Sequence, residues 1–382
     1  MDLALLSRVL VLNAGSSSLK ASVIEIGRRE PLAATSVGWG SDATRVIDRR
    51  ATVAAAFAEL WRAGIAPDSL VGAGHRVVHG GTRFVRPTLV DDAVLAGLAE
   101  LEELAPLHNS VAVDTLAAQR DILPDLPAVA VFDTAFHAPL TEAAFVYPLP
   151  WRWYEEWGIR RFGFHGLSVE WSVHRAAELL GRDAAGLRLI VAHLGSGCSV
   201  TAVDGGRSVS TSMGLTPLEG LAMGTRSGSV DPGILLHVLR RRGLSADDLA
   251  TALDHESGLL GISGVSGEMV RVTAAAREGS RRAQLAIDIF VRRAAAGIAV
   301  AATSLPAIDG LVFTGGIGEH ASEVRAAITG RLAALNVAPI GAGDVADDAI
   351  LSAPGAPIAV LRIEAREDIV IADATAELLA GD

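Results

Sequence analysis

Short apolar runs alternate along the whole chain with segments whose apolar residues recur every three to four positions. Apolar runs bounded by glycine and polar residues predict buried strands, and the longer spacing predicts amphipathic helices. Alternation of the two is typical of an α/β fold. The predicted strands are Val9–Leu12, Leu19–Ile26, Ala128–Phe132, Leu189–His193, Ser199–Val203, Gly310–Thr314 and Ile358–Ile363. The predicted helices are Thr52–Ala63, Asp91–Leu104, Ser168–Leu180 and Arg281–Ala302.

One pattern occurs twice. An apolar strand, a polar residue, a Gly/Ser turn and a second strand surround Gly15, and the same sequence of features surrounds Gly195. Two hairpins of one design, half a chain apart, indicate a duplicated domain. The length of 382 residues agrees with two or three domains.

Composition and charge exclude several classes of protein. The formal net charge of −11 argues against nucleic acid or an anionic membrane as the main partner. The single cysteine, Cys198, excludes an intrachain disulfide framework and a multi-cysteine zinc site, and it favours a reducing compartment. No apolar stretch reaches the roughly 18 residues of a membrane span, and the N-terminus lacks the features of a signal peptide. A cytoplasmic protein without a membrane segment is expected.

The first Gly/Ser turn has the chemistry of a phosphate site. Gly15 permits a tight turn, while Ser16 and Ser18 add hydroxyl groups. Lys20 is the only lysine among 33 basic residues, and a compact ammonium group suits a single phosphate oxygen. Asn13 offers either a carbonyl oxygen to a hard cation or an amide to a phosphate.

Two further glycine clusters suit a nucleotide. The turn from His193 to Ser199 contains two glycines and two serines. The segment Gly315–His320 follows a predicted strand and is expected to precede a helix, an arrangement that brings phosphates to backbone N–H groups. It lacks the glycine spacing of a dinucleotide fold.

Several charged or polar residues stand in apolar or glycine-rich surroundings, where an unpaired charge is costly. They are Arg76, Asp133, His165 and Arg226. Asp133 follows an apolar strand, which is where α/β proteins commonly place their sites. Together with the glycine turns, these residues predict a site for anionic phosphates.

The chain resembles the acetate kinase family. The resemblance rests on LNAGSSSLK (12–20) and VAHLGSGCSVTAVDGG (191–206), which are similar to the two family signatures. It covers nearly the whole chain in the expected order. The further matching segments are GHRVVHGG (74–81), APLHN (105–109), VFDTAFH (131–137), GFHG (163–166), TSMGLTPLEGLAMGTRSGSVDPG (211–233) and GGIGEH (315–320).

This resemblance implies an architecture. It implies two duplicated actin-like ATPase domains, of the ribonuclease H-like type, that enclose a nucleotide cleft. The expected N-terminal domain is 1–149, with a C-terminal helix at 368–382 packing back on it. The expected C-terminal domain is 150–367, which binds the nucleotide and forms a homodimer interface.

The resemblance also implies residue roles. Asp133, His165, Arg226 and Arg76 would be catalytic, with His165 and Arg226 stabilising the transition state. Arg76, Val78, Leu107, His108, Phe164 and Pro217 would bind acetate. Ser16, Ser18, Lys20, His193, Leu194, Gly195, Ser196, Gly197, Glu268, Met269, Val270, Gly316, Ile317, Gly318, Glu319 and His320 would bind the nucleotide and its phosphates. Asn13 and Glu367 would place Mg²⁺, with Mn²⁺ as an alternative ion.

The activity implied is reversible, Mg²⁺-dependent phosphoryl transfer from ATP to acetate, giving acetyl phosphate and ADP. Propionate or butyrate as the acceptor is the nearest alternative, because one methylene changes binding in an apolar pocket by only about 1–3 kcal/mol. A non-enzymatic ATP-gated binding module of the same fold predicts large insertions, and a sugar kinase predicts a polar acceptor pocket. Ser196 and His320 replace asparagines that are common in the family, which leaves the preferred nucleotide open.

Overall fold

The computed structural model describes residues 8–15, 18–39, 49–101 and 106–381, and for residues 106–108 it describes only the backbone. The chain forms two compact units. Unit 1 comprises Met1–Ala138 and Arg366–Asp382, and unit 2 comprises Pro139–Ala365.

Unit 1 is built on a sheet that has six strands among the described residues, in the order β3-β2-β1-β4-β6-β5. Strands β1, β4 and β6 are parallel, and the strands flanking them are antiparallel to their neighbours. The strands are β1 (Arg8–Ala14), β2 (Ser18–Glu25), β3 (Ala33–Gly38), β4 (Leu70–Val77), β5 (Thr88–Leu89) and β6 (Ala128–Phe132). The helices of unit 1 are α1 (Arg49–Arg62), α2 (Asp92–Glu100), α3 (Pro106–Ile122) and α14 (Glu367–Ala380).

Helices cover both faces of this sheet, because successive residues of a strand point to opposite faces. Ala73 of β4 belongs to the core formed with α1 and α3. Its neighbours Gly72 and Gly74 face α14, where a β-carbon would overlap the side chains of Leu379 and Thr375. The two glycines therefore allow α14 to lie close to the sheet.

Unit 2 repeats this plan. Its described sheet has the order β11-β12-β10-β7-β8-β9, with β7, β10 and β12 parallel. The strands are β7 (Arg188–Leu194), β8 (Cys198–Asp204), β9 (Arg207–Thr211), β10 (Gly310–Thr314), β11 (Ala349–Ile350) and β12 (Ala359–Arg362). The helices are α4 (Glu142–Phe145), α5 (Trp151–Trp157), α6 (Gly166–Leu180), α7 (Pro232–Arg242), α8 (Ala246–His255), α9 (Gly258–Ser263), α10 (Met269–Arg277), α11 (Arg281–Ala302), α12 (Gly315–His320) and α13 (Ser322–Thr329).

The strand orders of the two units correspond position by position. In each, an antiparallel three-stranded meander leads into parallel strands and ends at a short antiparallel edge strand. The turns at Gly15 and Gly195 occupy equivalent places, between the first two strands of each unit. The predicted duplicated α/β fold is confirmed.

Local signals explain where elements begin and end. The long helix α11 has the predicted bounds, begins after the cap Ser280 and buries residues at helical spacing, among them Ala283, Ala286 and Phe290. Helix α2 begins after Asp91, whose side chain accepts the Val94 N–H at 2.7 Å. The glycine segment is followed by a helix, α13, as predicted, but it also forms the short helix α12 itself. Among the described residues, no helix has the length and apolar content needed to cross a bilayer.

Candidate active site

Three polar side chains of unit 1 meet at one edge of its sheet. Asn13 lies near the end of β1, Arg76 near the end of β4, and Asp133 directly after β6. These strands are parallel neighbours, with Leu12 opposite His75 and Arg76 opposite Val131. Parallel strands bring their carboxyl ends to the same edge, so the three residues converge although 120 positions separate the first from the last.

A bidentate ion pair organises this edge. Arg76 Nε lies 3.0 Å from Asp133 Oδ1, and Nη2 lies 2.6 Å from Oδ2. Arg76 Nη1 donates to Asn13 Oδ1 at 3.1 Å, and Asn13 Nδ2 donates to Glu367 Oε2 at 3.0 Å. Burial alone would lower the pKa of Arg76, but the carboxylates of Asp133 and Glu367 outweigh it and raise that pKa. The guanidinium is therefore firmly charged.

The oxygen atoms at this edge suit a hard cation. No group of three or more His, Cys, Asp or Glu side chains arranged for a metal occurs among the described residues. Magnesium does not require one, because it commonly takes one or two protein carboxylates and completes its shell with substrate phosphates and water. The amide oxygen of Asn13 and the carboxylate of Glu367 at the start of α14 fit this chemistry.

The glycine loop after Arg76 is held by side chains that the sequence reasoning did not select. The His79 N–H donates to Asn109 Oδ1 at 3.1 Å, and Asn109 Nδ2 donates back to the His79 carbonyl at 2.9 Å. Thr134 Oγ1 accepts the Gly80 N–H at 3.0 Å. Asn109 and Thr134 lie within the segments 105–109 and 131–137 that resemble family motifs, so the sequence did contain a signal for them. The adjacent Val78 is buried.

The remaining unit 1 residues that were predicted to contact phosphate or acetate are located as follows. Ser18 begins β2 and is partly buried, and the exposed Lys20 stands opposite Asn13 in the β1–β2 pair. Cross-strand partners share a face of the sheet, so Lys20 lies beside Asn13. Ser16 lies outside the described residues, as do the side chains of Leu107 and His108.

Two stacked histidines form the centre of the site in unit 2. The rings of His165 and His193 lie 4.0 Å apart, with 21° between their planes. His165 has a left-handed backbone at the start of α6, with φ 60°. Each ring is held at Nδ1 by a serine, since His165 pairs with Ser199 Oγ at 3.0 Å and His193 with Ser168 Oγ at 2.8 Å. The sequence did not single out Ser168, and it marked Ser199 only as part of the glycine turn, not as a partner of His165.

The glycine turn after β7 lies against the side chains of Arg226 and His165. A β-carbon on Gly197 would lie 3.3 Å from Arg226 Nη2 and 3.3 Å from His165 Nε2, so the turn passes directly against both side chains. Arg226 Nη1 donates to the Pro217 carbonyl at 2.7 Å. Burial lowers the pKa of Arg226, and the charge of Asp254 opposes that shift. An arginine in largely buried surroundings beside a backbone turn is suited to an anionic ligand.

A cavity of about 1380 Å³ adjoins this turn within unit 2. Of the residues predicted to bind the nucleotide, Gly195, Ser196, Glu268, Met269, Val270, Gly316, Ile317 and His320 line it. The charged lining residues that the sequence did not single out are Arg277, Asp288, Glu323, Arg331 and Asp344. They lie on helices or loops without a motif, so no local signal marked them.

Gly318 and Glu319, also predicted to contact the nucleotide, are not part of the cavity lining. The Glu319 carboxylate is buried, and its Oε1 accepts the Ala365 N–H at 3.0 Å. Burial raises the pKa of Glu319. The fully buried Arg325 donates from Nη1 to the carbonyls of Gly318 at 2.9 Å and Glu319 at 2.8 Å. These contacts hold the Gly318 and Glu319 backbone of α12, while Gly316, Ile317 and His320 of the same helix line the cavity.

Cys198 is buried, with its Sγ 3.3 Å from the Gly195 carbonyl. Burial raises the pKa of its thiol to about 12. A thiol in this state packs the turn and is not a nucleophile at neutral pH.

Comparisons with known proteins agree with one another. Residues 8–373 match the acetokinase family. An acetate kinase of Geobacillus kaustophilus (strain HTA426) is 41% identical, over 96% of this chain and 98% of that protein. One from Synechococcus sp. (strain JA-2-3B'a(2-13)) is 44% identical, over 98% of this chain and 100% of that protein.

Solved structures show the same relationship. The Porphyromonas gingivalis acetate kinase superposes with a TM-score of 0.88 at 32% identity, covering 98% of this chain and 100% of that one. A propionate kinase from Francisella tularensis subsp. tularensis SCHU S4 gives a TM-score of 0.87 at 34% identity, covering 96% and 98%.

The fold and these similarities define an enzyme of the kinase class, a phosphotransferase. The chain belongs to the acetokinase family.

Proposed function

We propose that the protein is an ATP:acetate phosphotransferase that forms acetyl phosphate and ADP reversibly. The observation that carries the proposal is the convergence of Arg226 and His165 on the Gly197 turn, beside a cavity large enough for a nucleoside triphosphate. Positive charge at the end of a nucleotide cavity suits the phosphoryl group in transfer, because negative charge builds on its three equatorial oxygens.

The reaction needs no general base. A small carboxylic acid with a pKa near that of Glu, about 4, is ionised at neutral pH. In the proposed step, an oxygen of acetate forms a bond to the γ-phosphorus of ATP while the bond from that phosphorus to the bridging oxygen breaks, and ADP leaves with the electron pair. Asp133 then orients Arg76 through its two hydrogen bonds and accepts no proton.

Most of the predicted residues have a part in this proposal. Arg76 binds the acetate carboxylate, and the turns at Gly195 and Gly316 hold the ATP phosphates. Asn13 and Glu367 would hold Mg²⁺, which when bound offsets the negative charge of the phosphates. Val78, Leu107, Phe164 and Pro217 would supply apolar contacts to the acyl group, with His108 among the substrate contacts. Ser16, Ser18 and Lys20 contact phosphate.

Propionate is the second acceptor to consider, because a propionate kinase of known structure is as similar to this chain as an acetate kinase. The proposed pocket residues are apolar for either acid, and one methylene is worth only about 1–3 kcal/mol. We also propose a homodimer in the cytoplasm, on the resemblance to the family alone. Sedimentation of the purified protein tests the dimer.

Hydroxamate formation tests the proposed reaction. Purified protein is incubated with ATP, Mg²⁺, hydroxylamine and either acetate, propionate, butyrate or no acid, and an identical set lacks Mg²⁺. We expect acyl hydroxamate with acetate in greatest yield, and none without an acid or without Mg²⁺. Arg226→Ala should lower turnover by about 10³-fold, as loss of an arginine finger does, while exposed Arg207→Ala serves as the control. Protein that binds ATP and forms no product with any acid would contradict the proposal.

A further inference from the structure

Three side chains of unit 2 meet over a glycine, outside the cavity lining. The Tyr147 hydroxyl donates to Glu219 Oε2 and accepts the Leu215 N–H at 3.1 Å. Arg161 Nη2 donates to the other Glu219 oxygen at 2.8 Å. A β-carbon on Gly214 would overlap both the Tyr147 hydroxyl and the Glu219 carboxylate, so the arrangement requires glycine there. We call Tyr147, Arg161 and Glu219 the clamp.

The clamp joins two separate stretches of backbone. Arg161 Nη1 donates to the carbonyls of Ser212 at 3.1 Å and Met213 at 2.7 Å. The Gly214 carbonyl accepts the N–H groups of Phe162 at 3.0 Å and Gly163 at 3.4 Å. The loop 212–219 and the segment 161–165 are thereby fixed to each other.

Both stretches lead to groups of the proposed site. The segment continues from Gly163 into Phe164, which is buried, and His165. The loop contains Pro217, whose carbonyl accepts the hydrogen bond from Arg226. The clamp therefore reaches His165 along one stretch of chain and Arg226 along the other, without contacting either side chain.

The protonation and the hydrogen bonds of the clamp favour one fixed arrangement of its three side chains. Burial raises the pKa of the Tyr147 phenol, and the neighbouring Glu219 adds to that effect while Arg161 opposes it. The hydroxyl therefore remains a donor over the neutral range. Hydrogen bonds to charged groups are stronger than neutral ones, and Glu219 accepts one from each partner.

We propose that Tyr147, Arg161 and Glu219 are positioning residues that set the placement of His165, Arg226 and Pro217, and with it the turnover and the choice of acyl acceptor. The inference rests on the proposed carboxylate kinase activity. None of the three lines the nucleotide cavity. Substitution of these residues should therefore change turnover and acceptor preference while ATP binding stays nearly constant. A general loss of structure would instead change turnover, acceptor preference and ATP binding together.

The test compares the two tyrosines of the chain. Tyr147→Phe removes only the hydroxyl, and Tyr154→Phe is the matched control, because Tyr154 contacts Phe145 and Trp151 through its ring. Misplacement of a reacting group by about 1 Å can cost 10²-fold, so we expect kcat for acetate to fall roughly 10- to 100-fold in Tyr147→Phe. We expect the KM for ATP to stay within about twofold and the propionate-to-acetate ratio of kcat/KM to change at least about threefold.

A graded pair at Glu219 provides the second comparison. Glu219→Gln keeps one accepting oxygen and should retain more activity than Glu219→Ala, and it carries the comparison alone if Tyr147→Phe does not fold. ATP binding measured by calorimetry confirms a folded unit 2 in each variant. The inference would be overturned if folded Tyr147→Phe and Glu219→Gln both showed the turnover and the propionate-to-acetate ratio of the wild type. Wild-type protein inactive with every acid would overturn the proposed function first, and the inference with it.

Discussion

Arg76 and Asp133 form a two-point ion pair, with 2.6 Å between Nη2 and Oδ2, at the carboxyl ends of two neighbouring strands. The Asp133 side chain is only 1% exposed, so this carboxylate has almost no water to compensate its charge. The pair holds the guanidinium in one orientation, with its remaining edge toward Asn13.

Asp133→Asn should therefore reduce acetate turnover more than it reduces ATP binding. The substitution keeps the shape, but it exchanges one accepting oxygen for an amide donor facing the guanidinium. We expect kcat/KM for acetate to fall about 10²-fold, the scale of a misplaced reacting group. Asp114→Asn, on the exposed side of α3, is the matched control. Unchanged acetate kinetics in a folded Asp133→Asn protein would remove this pair from the mechanism.

The serine contacts to the two histidines give a second prediction. Ser168→Ala and Ser199→Ala each remove a hydrogen bond at Nδ1 and should each lower kcat roughly 10-fold, the equivalent of about 1.4 kcal/mol. Ser172→Ala is the matched control, because Ser172 is equally buried on the same helix as Ser168 and its hydroxyl has no hydrogen-bond partner in the described part of the chain. Equal effects of Ser168→Ala and Ser172→Ala would mean that packing alone is involved.

A substitution at Arg325 tests the contribution of α12 to ATP binding. Arg325→Met removes the donors to the Gly318 and Glu319 carbonyls with little change in volume. Since these bonds fix α12, we expect the KM for ATP to rise about 10-fold and the KM for acetate to stay within about twofold. Exposed Arg293→Met is the control. A rise in the acetate KM of the same size would indicate general destabilisation.

His75 makes the stability of unit 1 depend on pH. Burial lowers the pKa of His75 from 6.5 to about 4, and the bond to Gln119 at 3.1 Å only partly opposes this. Above pH 6.5 the ring is neutral in both states and the effect is absent. As the pH falls from 6.5 to 4, the unfolded chain gains a proton first, so the folded state loses up to about 3 kcal/mol.

This effect is measured by urea unfolding at pH 7 and pH 5, with amide hydrogen exchange in β4 as the probe of unfolding in unit 1. The wild-type midpoint should fall more between these values than that of His75→Gln, in which the side chain at 75 no longer titrates. The titration of Asp309 does not contribute to the change in stability between pH 7 and pH 5. Its pKa is about 2, because the bonds from Arg188 and Arg182 outweigh the opposing effect of burial. Its stabilisation is therefore lost only below about pH 4. Parallel pH dependence in both proteins would contradict the assignment to His75.

The sequence was sufficient to predict the elements with long or strongly patterned apolar runs. The predicted bounds of β6, β10 and α11 coincide with the observed ones. The repeat at Gly15 and Gly195 predicted a duplicated domain, and the two units have corresponding strand orders. Helix α12 was missed as a helix because its glycines predict a turn, and Gly315 does have φ +75°.

Contacts between distant parts of the chain could not be predicted in this way. Glu219 and Tyr147 are 72 positions apart, and no periodicity connects them. Glu319 was grouped with its glycine neighbours as a nucleotide contact, whereas its carboxylate is buried against the Ala365 N–H. A motif identifies which residues lie together along the chain. The direction of each side chain is decided by packing against elements that the motif does not contain.

Phosphoryl transfer to acetate is tested by following the carboxylate oxygens of the substrate. Protein, ATP and Mg²⁺ are incubated with acetate labelled with ¹⁸O in both carboxylate oxygens, in unlabelled water, and hydroxylamine then captures the product. If a carboxylate oxygen attacks the γ-phosphorus, capture at the carbonyl carbon releases phosphate that carries one ¹⁸O atom. We expect one ¹⁸O in each phosphate released with hydroxamate. Unlabelled phosphate would show that water attacked ATP, and it would contradict phosphoryl transfer to acetate.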